Sequence, residues 1–319
     1  MNRKNLLLLT ILAVQLVLVV LAFRPEPKAE SATKKFFPGL VKDGITGLII
    51  SDDKKSVELF TEDGKWYVDR TEKYPADPEK VTELLDKLTA LQSTRLVTRT
   101  ASSHVRLKVA EQIFNRKLTV LDNDRRMTIF LGTSPSNKTL HVRADGENEV
   151  YLVNDFSAWE VQSASASWWR GKYLGLSPDD IKGISLSNNQ GSFTLERDAD
   201  KKWHLAGRQE AVSEEAAKEL LAKVANLSVL KYLGREEKKE YGLQQPAASL
   251  VIRLQEGGEK TLRIGPENKD EKNHILKWEA SPFYVSAAAY VVEPLLEKKA
   301  ESLPAPEKES KPAVSPESK

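Results

Sequence analysis

Ile45-Thr-Gly-Leu-Ile-Ile50, Val57-Glu-Leu-Phe60 and Gly64-Lys-Trp-Tyr-Val68 set a pattern that Ile184-Ser-Leu186, Ser192-Phe-Thr-Leu195 and Lys202-Trp-His-Leu205 set again. Short runs rich in β-branched and aromatic residues, broken by Asp, Asn, Lys and Gly, read as antiparallel strands joined by turns. A tryptophan enters the last strand of each set. Trp66 and Trp203 are therefore expected as core anchors rather than ligand platforms.

A helix is expected after each set. In the first, Asp77 caps, Pro78 takes the first helical position, and Val81, Leu84, Leu85, Leu88 and Leu91 form one apolar stripe. In the second, Ser213 caps, and Ala217, Leu220, Leu221, Val224 and Leu227 repeat the stripe at a constant offset. Further strands then repeat in order. Lys117–Leu121, Met127–Gly132, Leu140–Arg143 and Glu149–Val153 correspond to Ser249–Leu254, Lys260–Gly265, Ile275–Trp278 and Pro282–Val285. Gly132 and Gly265 are expected to close a strand with a left-handed or tight turn. The expected fold class is α+β: two repeated units, each an antiparallel sheet covered by one amphipathic helix.

Outside these units the chain changes character. Arg3 and Lys4 lead into an uncharged, proline-free run from Leu6 to Phe23, long enough as a helix to nearly cross a bilayer core of ~30 Å. The basic flank places the remainder on the outer side of the membrane. A cleaved signal peptide is the alternative, since Val20-Leu21-Ala22 offers small residues at the end of the run. The expected boundaries are an anchor over 1–23, a linker over 24–35, a first unit over 36–158, a joint over 159–180, a second unit over 181–299, and a disordered tail over 300–319, poor in apolar residues.

The joint concentrates Trp159, Trp168, Trp169 and Tyr173. These rings either glue the two units together or form a surface for a partner or ligand. Of the 319 residues 29% are charged, yet the net charge is only +2, so attraction to nucleic acid is not indicated. With no cysteine there is no disulfide, thiolate metal site or thiol nucleophile. His104, His141, His204 and His274 lack the spacing of a helical metal pair. Carboxylates sit in turns, no Gly-x-Ser-x-Gly elbow or glycine-rich phosphate loop occurs, and Gly257-Gly258 reads as a hairpin turn. No catalytic, cofactor or metal residue is assigned, and no small-molecule substrate is expected. The basic stretch of Arg95, Arg99, Arg106, Lys108, Arg116 and Lys117 reads as a solvated face.

Taken in order, the anchor, Trp66-Tyr-Val68, Tyr74-Pro-Ala-Asp77, Leu107-Lys-Val109, Ile129-Phe-Leu-Gly132, Val142-Arg143, Val150-Tyr-Leu-Val153, Trp168-Trp-Arg-Gly-Lys172 with Leu174, and Tyr241-Gly-Leu243 with Pro246 resemble the DUF4340 family over roughly residues 5–296. The resemblance implies a membrane-anchored bacterial envelope protein, encoded beside an ABC-type transporter and a gliding-motility-like auxiliary subunit, with no established reaction. The expectation is a non-enzymatic accessory or scaffold protein in the inner membrane, with its bulk in the periplasm and an ABC-type permease or gliding-like subunit as partner. A periplasmic module that binds a polysaccharide or peptide through the Trp-rich joint is the alternative.

Overall fold

The computed structural model describes residues 33–304, apart from 124, 199, 201 and 209–211, together with Gln15. The expected anchor over 1–23 lies, Gln15 aside, outside the described residues, as does the tail from 305. Among the described residues no helix is long and apolar enough to cross a membrane. The fold is α+β, with antiparallel sheets and few helices. It divides into two compact units: residues up to Val57 with Thr82–Ser163, and Glu58–Val81 with Ala164 onward.

This division departs from the expected contiguous boundaries, because residues 58–81 belong with the later part of the chain. The reason is aromatic packing. The Tyr74 ring lies 4.9 Å from that of Tyr232 and 5.2 Å from that of Phe283, and meets Trp169 edge-on.

In the first unit β1 (Lys34–Lys35) pairs with β6 (Gln92–Ser93). The larger sheet runs β2 (Ile45–Ser51), β8 (Arg116–Asp122), β9 (Arg125–Leu131), β10 (Thr139–Ala144), β11 (Val150–Asn154) and β7 (Leu96–Thr98), every neighbour antiparallel. Side chains alternate across the pleat, so Leu48 and Ile50, Leu118 and Val120, Ile129 and Leu131, and Leu140 and Val142 share a buried periodicity of two. Phe130 falls on the opposite parity. It packs with Leu107, Val109 and Val150, and Phe114 lies against them.

That second cluster depends on a strap. α2 (His104–Leu107) ends at Lys108 in the left-handed region, and the Leu107 carbonyl accepts the Thr133 N–H at 2.9 Å. A Cβ on Gly132 would stand 2.1 Å from that carbonyl oxygen. Of the left-handed or tight turn expected from the sequence, the left-handed backbone is not found at Gly132, which is required instead by close approach. Arg143, buried, ties the strap down: its Nε donates to Val109 O at 2.7 Å, and its guanidinium stacks 4.4 Å from the Phe130 ring.

The helix expected after Asp77 forms as α1 (Pro78–Thr89). Asp77 Oδ1 accepts the N–H groups of Glu79 and Lys80 at 3.1 and 3.3 Å, and Val81, Leu84, Leu85 and Leu88 are buried.

In the second unit β3 (Ser56–Glu62, most of it within the unit), β4 (Lys65–Val68) and β5 (Tyr74–Pro75) form an antiparallel ribbon. An eight-stranded sheet runs β14 (Trp203–Leu205), β13 (Gly191–Arg197), β12 (Ile181–Asn188), β16 (Ala248–Leu254), β17 (Glu259–Asn268), β18 (Asn273–Trp278), β19 (Tyr284–Ala288) and β15 (Lys231–Tyr232). α3 (Glu214–Ala225) is capped by Ser213, whose Oγ accepts the Ala216 N–H. Its stripe of Ala217, Leu220, Leu221 and Val224 joins a core that includes Ile184, Leu250 and Leu276 of the sheet.

Three details correct the sequence reading. Gly265 does not close its strand: β17 continues to Asn268 through a register shift between Ile264 and Glu267, because Pro266 has no N–H to keep the ladder in step. Here too the glycine answers a close approach, since its Cβ would lie 2.3 Å from Tyr241 O. A helix absent from the sequence reading, α4 (Ala289–Leu296), packs beside α3. Packing also extends past 299: Ala300 and Leu303 are in the core and Val212 bridges Pro304, because Leu303 is one apolar side chain large enough to hold the segment.

Gly132→Ala and Gly265→Ala are each expected to cost ~2 kcal/mol or more through overpacking against a backbone carbonyl. Gly171→Ala, where a Cβ meets nothing within 4 Å, should stay within ~0.5 kcal/mol. Chemical denaturation of the three variants measures the difference.

Candidate functional site

The four rings expected at the joint are not alike. Trp168 is 3% exposed and Tyr173 6%. The Tyr173 hydroxyl donates to Phe283 O at 2.6 Å and accepts the Trp278 N–H at 2.9 Å, and burial pushes it up to about 12. Trp169 is half-buried against Tyr74 and Tyr232, and its Nε1 is buried with no hydrogen-bond partner among the described residues. Tyr173 packs in the core of the second unit with Trp169 against it, Trp168 is buried, and the three offer no shared exposed platform. Trp159, in the first unit, is 83% exposed.

Trp159 sits in a turn of 3₁₀ helix, Ala158–Glu160, whose backbone is fixed from several sides. Ser157 and Glu160 form a reciprocal capping box. Glu160 also meets Lys87 at 2.9 Å, and Glu83 with Glu160 holds the Lys87 ammonium above its ordinary range. The Trp159 carbonyl accepts from Gln162 Nε2 at 3.0 Å. A rigid turn therefore presents a solvated indole, the reverse of what burial would give so large an apolar ring.

Beside the ring lies a cleft of about 580 Å³, lined among others by Lys108, Ile113, Phe114, Asn115 and Arg116. The strap supplies Lys108, and the tight turn closed by Ala110 N–H to Ile113 O supplies Ile113 and Phe114. Asn115 Nδ2 donates to Gly132 O at 2.7 Å, and Arg116 Nε donates to Val161 O at 3.1 Å. Arg116 also lies 3.6 Å from Asp52. The hydrogen bond from Ser163, against the opposing effect of partial burial, takes the Asp52 carboxyl down to about 2; the Lys54 and Lys55 amides and the Arg116 charge add to it. Lys108 makes no ion pair among the described residues and is exposed. The cleft thus combines an exposed indole, the apolar side chains of Ile113 and Phe114, and a free ammonium, a set suited to a partner's side chains or a sugar's apolar face.

The sequence marked Lys108 and Arg116 as part of a basic, solvated face. Arg95, Arg99 and Arg106 are exposed as expected, whereas Lys117 lies over the Phe130 ring and Arg116 is engaged as above. Gln112, Ile113 and Phe114 were missed, since the segment has neither strand nor helix periodicity; Ser157-x-x-Glu160 was the legible signal for the Trp159 turn. Trp203 is buried as expected, but Trp66 is only half-buried.

Three of the four histidines hold backbone. His104 Nε2 contacts Asn148 O at 2.8 Å, His141 Nδ1 contacts Thr133 O at 2.9 Å, and His274 Nδ1 contacts Gly265 O at 2.9 Å. Burial lowers the His141 pKa. His204 faces Glu196 at 3.4 Å. Among the described residues no group of three His, Asp or Glu side chains is placed to hold a metal ion.

A profile described as "Domain of unknown function (DUF4340)" matches residues 66–246, more than half of the chain. The chain belongs to the DUF4340 family. The matched stretch includes the strap, Gly132, the Trp159 turn and α3. No curated protein and no solved structure matches the chain.

Asp52 has a folded pKa below its ordinary 3.8, so its stabilisation is complete above that value and is lost as pH falls toward about 2. Melting temperatures followed across this window should drop less steeply in Asp52→Asn than in the native chain. Tyr173→Phe strands the Trp278 N–H and the Phe283 carbonyl and is expected to cost ~2 kcal/mol by chemical denaturation.

Proposed function

We propose that this DUF4340 protein is a non-enzymatic accessory or scaffold protein, anchored in the bacterial inner membrane with its bulk in the periplasm. Its partner is an ABC-type permease or a gliding-like auxiliary subunit of an envelope system. The observation that carries the reading is the exposed Trp159 on its pinned turn, because solvated aromatic rings on rigid supports are the usual anchors of protein contacts. Anchoring rests on the uncharged run Leu6–Phe23 behind Arg3 and Lys4.

We further infer that the chain arose by duplication of one α+β unit. The order β2-β8-β9-β10-β11-β7 corresponds to β12-β16-β17-β18-β19-β15. α1 and α3 keep the offset of their caps, and Gly132 with Leu107 corresponds to Gly265 with Tyr241. Two such units extend the surface available for contact. Binding of a polysaccharide or peptide is the second reading, favoured by the cleft beside Trp159 and the free Lys108 ammonium.

The test is a mild-detergent pull-down of the full-length chain from its native membrane, with mass spectrometry of both the partners and the N-terminal peptide. Recovery of a permease or auxiliary subunit with residues 1–23 intact, reduced about tenfold or more by Trp159→Ala, is the expected result. A cleaved, soluble protein without a membrane partner overturns it.

A further inference from the structure

The second unit contains a separate cleft of about 460 Å³ with a different chemistry. Trp66, Tyr67 and Phe283 line it with Pro75, Pro78 and Pro282. The β3–β5 ribbon positions its first wall: Tyr67 pairs with Pro75, and Ala76 N–H donates to Trp66 O at 2.9 Å. Arg170 N–H donates to Pro75 O at 2.8 Å, which places that residue at the same cleft. This explains why Trp66 is only half-buried although Trp203, at the corresponding place in the sequence pattern, is in the core.

Four cations stand around these apolar walls: Lys65, Lys73, Arg170 and Arg235. Arg235 is held in place, stacked 4.9 Å over the Phe283 ring with Nη2 donating to Glu72 O at 2.8 Å. Glu62 is the cleft's one carboxylate, and both its oxygens are taken by Lys73 at 2.7 and 2.8 Å. Lys65 and Arg170 are exposed and make no ion pair among the described residues. The cleft therefore carries an uncompensated positive charge around an aromatic and proline floor.

We propose that this cleft binds an acidic, proline-containing polypeptide segment of a partner protein. Charge complementarity selects carboxylates, which the free Lys65 and Arg170 would meet at the rim. The flat aromatic and proline walls suit a polyproline II chain, whose ordering cost is already small. The free donors at the rim are cationic and the one carboxylate, Glu62, is engaged, so carboxylates of a ligand match the lining better than neutral hydroxyls do. The proposal stands on the second unit alone and does not depend on the membrane reading.

The test is fluorescence polarisation with full-length protein in detergent and a labelled dodecapeptide of alternating Glu and Pro. Parallel titrations use the matching Gln-Pro peptide and polygalacturonate. The Glu-Pro peptide is expected to bind, the Gln-Pro peptide to bind far more weakly, and Lys65→Glu with Arg170→Glu to weaken binding about tenfold or more. Lys182→Glu with Lys218→Glu, the same charge change at exposed sites outside the cleft, should leave binding unchanged. Circular dichroism checks that both double variants fold. Equal binding of the Gln-Pro peptide, binding of polygalacturonate in place of the peptide, or indifference to the Lys65 and Arg170 substitutions overturns the proposal.

Discussion

In each unit a carbonyl oxygen of a short helical segment is pressed against a strand at a point where a methyl group has no room. Leu107 O meets Gly132, and Tyr241 O meets Gly265. Such contact fixes the distance between segment and sheet to within tenths of an ångström, and the side chains beside it must fill what is left. In the first unit Leu107, Val109, Phe114 and Phe130 do so, with Arg143 stacked on the Phe130 ring. In the second, Tyr241 and Leu243 pack with Tyr284. The strap also carries Lys108, so the shape of the Trp159 cleft follows from the same backbone contact.

Local rules were legible wherever a periodicity or a cap could express them. Asp77 and Ser213 cap the helices that their stripes called for, and the four-strand meanders fall where alternation placed them. The glycines were singled out correctly but for another physical reason, since backbone proximity leaves no trace in composition. α4 escaped notice because it is short, has Pro294 inside and lacks a side-chain cap. Leu303 was hidden by its polar surroundings.

The candidate surface was less legible still. Trp159, Trp168, Trp169 and Tyr173 look equivalent in sequence, and only the fold separates one solvated ring from three that are buried or half-buried. The aromatic-proline cleft was invisible for a related reason. Its walls come from three separated stretches, around Trp66, Arg170 and Phe283. No short-range pattern records that they meet.

The second unit is assembled from two stretches of chain, Glu58–Val81 and the part from Ala164 onward. A ribosome making this protein releases the early ribbon first and must then synthesise all of residues 82–163 before its partners begin to emerge. At ~5–20 residues per second that delay is on the order of ten seconds. Throughout it Tyr74 has none of the rings that later enclose it. The ribbon is therefore a segment of the nascent chain that needs shelter until those rings are made.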